Sequence, residues 1–235
     1  MDLQRIQEET KLYQNPAEVS AYVKLSKSIA MVRLERNFAR EILRHHGEKE
    51  HLEILDIGCG PAWISQALAK ARPHWKVTCL DGSQGMLEAA RKNAEAENIR
   101  MNYVHADAGK IPQADERFDL VISHFAFSEF PKPELCLKEM LRVTKKGGEI
   151  MIRDLRRPSH WVWNYLKFTS LFYYFGKAVM RRQFLDSLQG AYTESELASL
   201  VEKSLGKAGT AEIKGVSSLA IGGRVDLRYL KNNQT

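Results

Sequence analysis

An acidic residue beside a glycine turn is the feature of this sequence that points most directly to chemistry. Asp56 lies in the short apolar run 54–57, and Gly58 and Gly60 follow it. A buried strand, a glycine turn and a helix, here 63–70, form the usual start of a nucleotide-binding site in an open α/β sheet. A carboxylate there would repel the pyrophosphate of a dinucleotide and attract a positively charged ligand. The pattern therefore predicts a cationic ligand.

A second acid follows at a spacing that suits a ribose. Asp81 ends the apolar run 77–81 and comes 25 residues after Asp56, close to the spacing at which an acid at a strand end binds two ribose hydroxyls. Ser83 is placed to cap the next helix, which we expect over 86–97, and Met86 is placed to lie against an adenine ring. These residues predict a nucleoside-binding edge of the sheet.

Several segments, taken in order, resemble the motifs of class I S-adenosylmethionine-dependent methyltransferases. Residues 55–61, Leu-Asp-Ile-Gly-Cys-Gly-Pro, resemble the first motif of that family, and 77–81 forms the second strand with its terminal acid. The later segments 101–108, 118–124 and 147–152 resemble the third, fourth and fifth strands. The resemblance covers 51–156 strongly and 190–225 more loosely.

The resemblance implies an α/β fold, an open seven-stranded and mostly parallel sheet with helices on both faces. It implies S-adenosylmethionine as the cofactor and S-adenosylhomocysteine as its product. The implied cofactor-binding residues are Asp56, Gly58, Cys59, Gly60, Asp81, Gly82, Ser83, Met86, Asp107, Ala108 and His124.

His124, at the end of the predicted fourth strand, is the candidate general base, because a histidine titrates near neutrality. The alternative is that His124 only lines the cofactor pocket. Glu129 and His160 are weaker candidates for the base. A base is needed only if the acceptor must lose a proton, and a thiol, a soft carbanion or a metal-bound acceptor would not need one.

The sequence departs from the family pattern at two places. Pro61-Ala62-Trp63 stands where many members carry a third glycine, and Trp63 is expected to alter the methionine end of the pocket. The fourth strand ends in Ser-His-Phe-Ala-Phe and lacks the Asn/Asp-Pro-Pro-Tyr/Phe signature of enzymes that methylate exocyclic or amide nitrogens. This argues against nucleobase amines as acceptors.

Length and composition favour one soluble domain in a reducing cytoplasm. The chain has 235 residues, of which 44% are apolar and 27% charged, as in ordinary globular proteins. Residues 1–11 are polar and charged and do not resemble a secretory signal. Cys59, Cys79 and Cys136 are far apart in sequence, so neither a zinc site nor a disulfide framework is expected.

Positive charge is concentrated between residues 142 and 182. This segment holds ten Lys or Arg and two acids, a local excess of +8 in a chain whose net charge is +6. One interpretation is a solvated rim. The other is contact with an anionic surface or partner, such as an acidic substrate, a membrane surface or nucleic acid.

The same segment holds eight of the 21 aromatic residues, within residues 161–175. Two lysines interrupt the run, so a transmembrane helix is not expected. Three interpretations remain open: a helix that covers the sheet core, a substrate lid, and an interfacial or dimer-forming helix. The candidate lid residues are Trp161, Trp163, Tyr165, Phe168 and Phe172. The expected polar stripe along the helix is Asn164, Lys167, Ser170, Tyr174, Lys177 and Arg181.

We therefore expect a single domain over residues 1–235, with a helical cap at 1–50 and an aromatic, basic insertion at 157–192. The helix of this cap should begin at Asn15 and Pro16 and run to about Arg44 with one break. Tyr13 and Tyr22 are candidates to close over the cofactor.

Near the carboxyl end, a capping box at Thr193 predicts a helix to about 205, followed by an antiparallel hairpin of strands 211–216 and 218–225.

Three classes of function stay open. The aromatic insertion favours a small apolar or flat methyl acceptor. The basic rim favours a protein or nucleic-acid acceptor. A non-catalytic S-adenosylmethionine-binding partner or sensor would keep the same acids.

Overall fold

A computed structural model of the chain describes residues 4–6, 13–173, 178–206, 208–216 and 223–233. Its centre is a seven-stranded sheet with the strand order β3-β2-β1-β4-β5-β7-β6. Strands β1 to β5 are parallel, whereas β7 is antiparallel to both of its neighbours. The strands are β1 Glu53–Ile57, β2 Lys76–Asp81, β3 Asn102–His105, β4 Phe118–His124, β5 Thr144–Leu155, β6 Gly209–Val216 and β7 Arg224–Lys231. The predicted open, mostly parallel sheet is confirmed.

Helices cover both faces of this sheet. They are α1 Pro16–Ser26, α2 Ile29–His46, α3 Trp63–Ala71, α4 Gln84–Ala96, α5 Pro133–Val143, α6 His160–Tyr173, α7 Ala178–Gly190 and α8 Glu194–Leu205. A short 3-10 turn, Phe127–Glu129, follows β4. Three predicted N-caps are present: Asn15 on α1, Ser83 on α4, and the reciprocal capping box of Thr193 and Glu196 on α8.

Two cores lie on the two faces because successive strand residues point to opposite sides. Ile54 packs on the face covered by α2, α3 and α4. Its neighbour Leu55 packs on the face covered by α5 and α8. Parallel strands buried on both faces are continuous apolar runs, which is why these segments could be recognised in the sequence.

A buried ion-pair cluster holds α2 against the sheet near the carboxyl end of β4. Arg153 of β5 is 2% exposed and donates to both carboxylate oxygens of Asp226 in β7, at 2.7 and 3.1 Å. It also donates to Glu41 of α2 at 2.7 Å, and its guanidinium lies 4.7 Å from the ring centre of Phe38. The charge of Arg153 is therefore fully paired, as a buried charge requires.

The break in the amino-terminal helix matches the prediction, whereas the insertion and the last strand differ from it. The amino-terminal helix is broken once, as expected, between Ser26 and Ile29. The aromatic insertion forms two helices, α6 and α7. The last strand begins at Arg224, and residues 218–222 of the predicted strand lie outside the described residues.

Of the polar stripe predicted on the insertion, Tyr174 and Lys177 also lie outside the described residues. Ser170 is buried, at 3% exposure, and accepts a hydrogen bond from Arg181 at 3.0 Å. The described residues of this stripe are therefore divided between two helices, and Arg181 of α7 reaches Ser170 of α6. Within the described residues, no helix combines the length and apolar character needed to cross a bilayer.

Candidate cofactor and methyl-transfer site

The glycine turn after β1 is shaped by close contact with neighbouring strands. Gly58 and Gly60 have φ values of +68° and +52°, in the left-handed region that favours glycine. The N–H groups of Gly58 and Cys59 donate to the carbonyl of Leu80 at 2.8 and 3.2 Å, which ties the turn to β2. A Cβ atom at Gly58 would lie 2.5 Å from the Cβ of Ala126, so the loop after β4 leaves no space for a side chain there.

Asp56 lies beneath this turn and lines a cavity at the carboxyl edge of the sheet. Its side chain accepts a 2.7 Å hydrogen bond from the Ser65 hydroxyl, and the residue is 3% exposed. Burial raises the pKa of Asp56 to about 7, against the opposing effect of the Ser65 hydrogen bond. A carboxyl group with this pKa ionises readily when a cation enters the cavity.

Glu35 of α2 lines the same cavity and was not identified from the sequence. Burial, and then the nearby Asp56 carboxylate, raise the pKa of Glu35 to about 8. Phe38 and Ala39, three and four residues further along α2, are buried. That spacing places Glu35 on the buried face of its helix, and an acid on a buried face was the signal that could have revealed it.

His124 ends β4 and lines the cavity opposite the glycine turn. Its ring stacks on Phe38 at 5.2 Å and packs against Phe125 at 4.1 Å. Burial, followed by the positive charges of Arg153 and Arg224, lowers the pKa of His124 to about 3. The expectation that His124 titrates near neutrality was therefore wrong. The ring is uncharged at neutral pH, and its Nε2 is buried without a hydrogen-bond partner among the described residues.

Asp81 lies at the end of β2, where its two carboxylate oxygens hold two turns together. Gly60 N–H donates to Oδ2 and Ser83 N–H donates to Oδ1, both at 2.8 Å. We expected this residue to be exposed, but it is half-buried because both turns fold over it. Burial raises the pKa of Asp81, against the effect of these two hydrogen bonds and of His105. A carboxylate has about four lone-pair sites, so two remain for ribose hydroxyls.

The neighbours of Asp81 in the predicted set surround the start of α4. The carbonyl of Gly82 lies 3.0 Å from Nε2 of His105. Ser83 caps α4 through Met86 N–H at 3.3 Å and donates its hydroxyl to the carbonyl of Tyr13 at 2.5 Å. The side chain of Met86 is buried, at 2% exposure.

Asp107 and Ala108 follow β3 at the same edge of the sheet. Asp107 is exposed and accepts a hydrogen bond from Gly109 N–H at 2.8 Å through Oδ1, whereas Ala108 is buried. Their contact with an adenine stays a prediction.

Tyr22 and Trp63 line the cavity, and Tyr13 packs on Tyr22 from outside the lining. Tyr22 of α1 lies against the glycine turn, with Cε1 3.7 Å from the position of a Cβ on Gly60. Tyr13 packs on Tyr22 with ring centres 5.0 Å apart. Trp63 also lines the cavity and donates its indole N–H to the Ser26 hydroxyl at 2.9 Å. Helices α1 and α2 therefore lie over the glycine turn.

The predicted lid residues of α6 do not line this cavity in the described part of the chain. Trp161, Tyr165 and Phe168 are exposed, and Trp163 is half-buried. The side chain of Phe172 lies outside the described residues.

The two weaker candidates for a base also lie outside the cavity lining. Glu129 accepts a hydrogen bond from Ser187 of α7 at 3.1 Å, and His160 is exposed at the start of α6. The contact between Ser187 and Glu129 places α7 beside the 3-10 turn that follows β4.

Much of the predicted basic rim is paired with acids. Arg142 bonds Glu139 and Asp115, Lys145 bonds Asp119, and Arg153 is buried in its cluster. Arg156 pairs with Glu194 at 2.7 Å, and Arg157 pairs with Glu196. Counting Arg182 beside Asp186, six of the ten basic residues therefore have an acid partner from outside residues 142–182.

Comparison with known proteins supports the interpretation of this site. Residues 54–148 match the family model described as a methyltransferase domain. A demethylmenaquinone methyltransferase of Geobacillus stearothermophilus is 28% identical over 178 residues, which cover 75% of this chain and 74% of the relative. A malonyl-[acyl-carrier protein] O-methyltransferase of Erwinia pyrifoliae is 37% identical over 126 residues, which cover 54% of this chain and 46% of the relative. The chain spans about half the length of most of the curated relatives it matches.

Solved structures share the fold at low sequence identity. The plantazolicin methyltransferase BpumL in complex with a triazolic desmethylPZN analog and SAH superposes with a TM-score of 0.72 at 18% identity, covering 95% of this chain and 94% of that one. A SAM dependent methyltransferase from Aquifex aeolicus superposes with a TM-score of 0.66 at 19% identity, covering 92% and 98%. The matched chains have the same sheet architecture as the one described above.

Proposed function

We propose, from the premise that this chain is a class I S-adenosylmethionine-dependent methyltransferase, that it transfers the methyl group of S-adenosylmethionine to a small apolar or aromatic acceptor. The single observation that carries the choice of cofactor is the pair of carboxyl groups, Asp56 and Glu35, that line one cavity at the glycine turn. S-adenosylmethionine brings an ammonium and a sulfonium to this place, and both are stabilised by carboxylates.

The proton balance of the two acids supports this assignment. With pKa values of about 7 and about 8, Asp56 is partly protonated and Glu35 mostly protonated near neutral pH before a ligand binds. A cation that enters lowers both pKa values, so binding releases protons and replaces a protonated acid with an ion pair. An anionic ligand would shift the same equilibrium in the opposite direction and would be disfavoured.

We assign the nucleoside end of the cofactor to acids at the carboxyl ends of strands β2 and β3. We assign the ribose hydroxyls to the charged acceptors of Asp81 and the adenine amino group to Asp107. Gly58 and Gly60 allow the backbone to approach the ligand without a side chain in the way. These roles follow from the positions of the residues at the carboxyl edge of the sheet.

The chemical step that we propose is an in-line displacement at the methyl carbon. S-adenosylmethionine would supply a methyl group on a positively charged sulfonium, and the neutral thioether of S-adenosylhomocysteine would be the leaving group. The protein therefore contributes alignment and exclusion of water. Glu35 and Asp56 hold the charged end in place, while Phe38 and Phe125 keep His124 desolvated. His124, with its lowered pKa, is uncharged at neutral pH. The neutral ring lines the cavity and offers a hydrogen bond, and it does not act as a strong base.

The acceptor is proposed only as a class. The two relatives described above are named for different acceptors, a malonyl group on an acyl carrier and demethylmenaquinone. Pairing of Arg142, Lys145, Arg156 and Arg157 with acids leaves fewer free cations for a nucleic-acid backbone, which favours a small molecule. We place this activity in the cytoplasm, where Cys59, Cys79 and Cys136 would remain reduced thiols.

Calorimetric titration with S-adenosylmethionine, S-adenosylhomocysteine and NAD tests the cofactor assignment. We expect roughly micromolar binding of the first two and no measurable binding of NAD. Repeating the titration in buffers of different ionisation enthalpy should show proton release on binding of S-adenosylmethionine at pH 7. The Glu35→Gln variant should release fewer protons than the parent. Binding of NAD without either sulfur ligand would refute the assignment.

Turnover is tested separately, with S-adenosylmethionine carrying a labelled methyl group and a panel of small apolar and aromatic acceptors. Transfer to a small acceptor is the expected result. Tight cofactor binding without transfer to small, protein or nucleic-acid acceptors would support a non-catalytic sensor instead.

A further inference from the structure

The outer face of α6 is apolar although it points to solvent. Trp161 is 69% exposed, Tyr165 43%, Phe168 62% and Leu171 50%. The rings of Trp161 and Tyr165 stack at 6.3 Å, so they form one continuous aromatic surface. The spacing of three and four residues places these side chains on one side of the helix. Exposed apolar patches of this kind mark interaction surfaces.

The inner face of the same helix already makes the contacts that attach it to the protein. Leu166 and Ser170 are each 3% exposed. Arg181 of α7 donates to the Ser170 hydroxyl at 3.0 Å and to the carbonyl of Lys167 at 3.1 Å. Burial of the inner face therefore accounts for the position of α6, whereas it does not account for aromatic residues on the outer face.

The segment that carries this surface holds basic residues and no acid of its own. Residues 155–185 contain six Lys or Arg and no Asp or Glu. Of these, Arg156 and Arg157 are paired with acids of α8. Lys167 is exposed on α6, and Arg182 of α7 has an 81% exposed side chain with Asp186 at 3.6 Å. Lys167 therefore shares a helix with the exposed aromatic face, and Arg182 lies on the next helix beside Asp186.

We propose that the outer face of α6, with Lys167 and Arg182, docks this protein on an anionic lipid surface. Trp and Tyr rings favour the interface between headgroups and acyl chains, and Lys and Arg are attracted to anionic lipids. α6 would lie in the plane of the surface. The proposal concerns a surface outside the cofactor cavity and does not depend on the identity of the acceptor.

Charge favours a lipid surface over a second copy of the chain. In a symmetric dimer the same patch would face itself. The exposed Lys167 of each copy would then be brought close to the other, and like charges at short distance repel. An anionic lipid surface meets both the aromatic and the basic character of the patch.

Sedimentation with lipid vesicles tests the proposal on the full-length protein. We expect binding to vesicles of phosphatidylcholine mixed with phosphatidylglycerol, weak binding to phosphatidylcholine alone, and loss of binding as salt is raised. Equal partitioning to both kinds of vesicle, or none to either, would overturn it.

Two sets of variants locate the contact. The double variant Trp161→Ser, Phe168→Ser should lower partitioning to the mixed vesicles about tenfold or more, because it removes two large apolar side chains from the interface. Lys167→Gln and Arg182→Gln should each lower it about fivefold. Ile29→Ser is the matched control, because Ile29 is an 89% exposed apolar residue on α2. It should bind vesicles like the parent.

Thermal melts and light scattering complete the test. The α6 variants change exposed side chains, so they should melt near the parent temperature while losing vesicle binding. If they bind vesicles as tightly as the parent, the surface is wrongly assigned. If the parent ignores vesicles but forms a dimer that the α6 variant dissociates, the surface is a contact between two copies and the lipid proposal fails.

Discussion

At the scale of single residues, the acids of the site differ in their burial and in their hydrogen-bond partners. Asp56 is buried and Glu35 is half-buried around one cavity, so their carboxyl groups are available to a cation that enters it. Asp81 also supports the backbone, because it accepts N–H groups from Gly60 and from Ser83. Asp107 is exposed and accepts one local N–H group from Gly109. These differences predict distinct consequences of mutation.

Replacing Asp81 with Asn should weaken both cofactor binding and stability. The charge-assisted bonds to the ribose are worth about 1.5–3 kcal/mol, so the Kd for S-adenosylhomocysteine should rise roughly ten- to hundredfold. The amide keeps one acceptor oxygen, so one of the two N–H groups loses its partner and the melting temperature should fall. Calorimetry and thermal melts measure the two effects.

Asp107→Asn is the control for the loss of stability. Asp107 is exposed, so this variant should have the melting temperature of the parent. If Asp81→Asn binds S-adenosylhomocysteine as tightly as the parent, Asp81 does not bind the ribose.

The sequence identified most of these residues by type and strand position, but not their environments. Asp56 and Asp81 could be found because buried parallel strands are short apolar runs that end at one edge. The pKa of His124 is lowered first by burial and then by Arg153 and Arg224, which β5 and β7 bring near, so the local sequence pattern could not reveal the shift. Glu35 becomes part of the site only when α2 packs over the sheet.

At the scale of elements, the glycine turn links β1, β2 and the loop after β4. Its two glycines share a positive φ but differ in surroundings. A Cβ on Gly58 would meet the Cβ of Ala126, whereas the nearest atom for a side chain on Gly60 is Tyr22 Cε1 at an ordinary contact distance.

Helix α6 shows the limit of sequence periodicity, because a helix that is apolar on most sides does not reveal which side is buried.

The two glycine positions should respond differently to alanine. Gly60→Ala should cost about 1–2 kcal/mol, which is the strain of the left-handed conformation. Gly58→Ala adds an overlap at 2.5 Å with a side-chain atom that cannot rotate away, which adds about 1–3 kcal/mol. Urea denaturation measures both free energies of unfolding. Equal destabilisation by the two substitutions would contradict the close approach of Ala126 to Gly58.

At the scale of the whole molecule, the buried acids make stability depend on pH. The pKa of Glu35 rises from 4.5 to about 8, and that of Asp56 from 3.8 to about 7, on folding. Between these limits the folded protein binds more protons than the unfolded chain, so the free energy of unfolding falls as pH rises. The lowered pKa of His124 acts in the opposite direction, but only below its ordinary value of 6.5.

The protein without cofactor should therefore lose stability between about pH 6.5 and 8.5, above the range in which His124 contributes. Glu35→Gln removes the group that titrates highest in this window, so the variant should lose less stability over the same range. Chemical denaturation at a series of pH values gives both curves. Parallel curves for parent and variant would show that Glu35 does not carry the raised pKa.

The strand order also has a consequence for how the sheet is completed. β7 follows β6 in the chain but lies between β5 and β6 in the sheet. A chain still emerging from a ribosome can pair β1 to β5, yet β6 has no neighbour in the sheet until residues 224–231 arrive. Loss of only this last strand by proteolysis or premature termination would release β6 as well and leave β5 as an open edge. Such an edge can pair with another chain, so truncated products of this protein should be prone to aggregate.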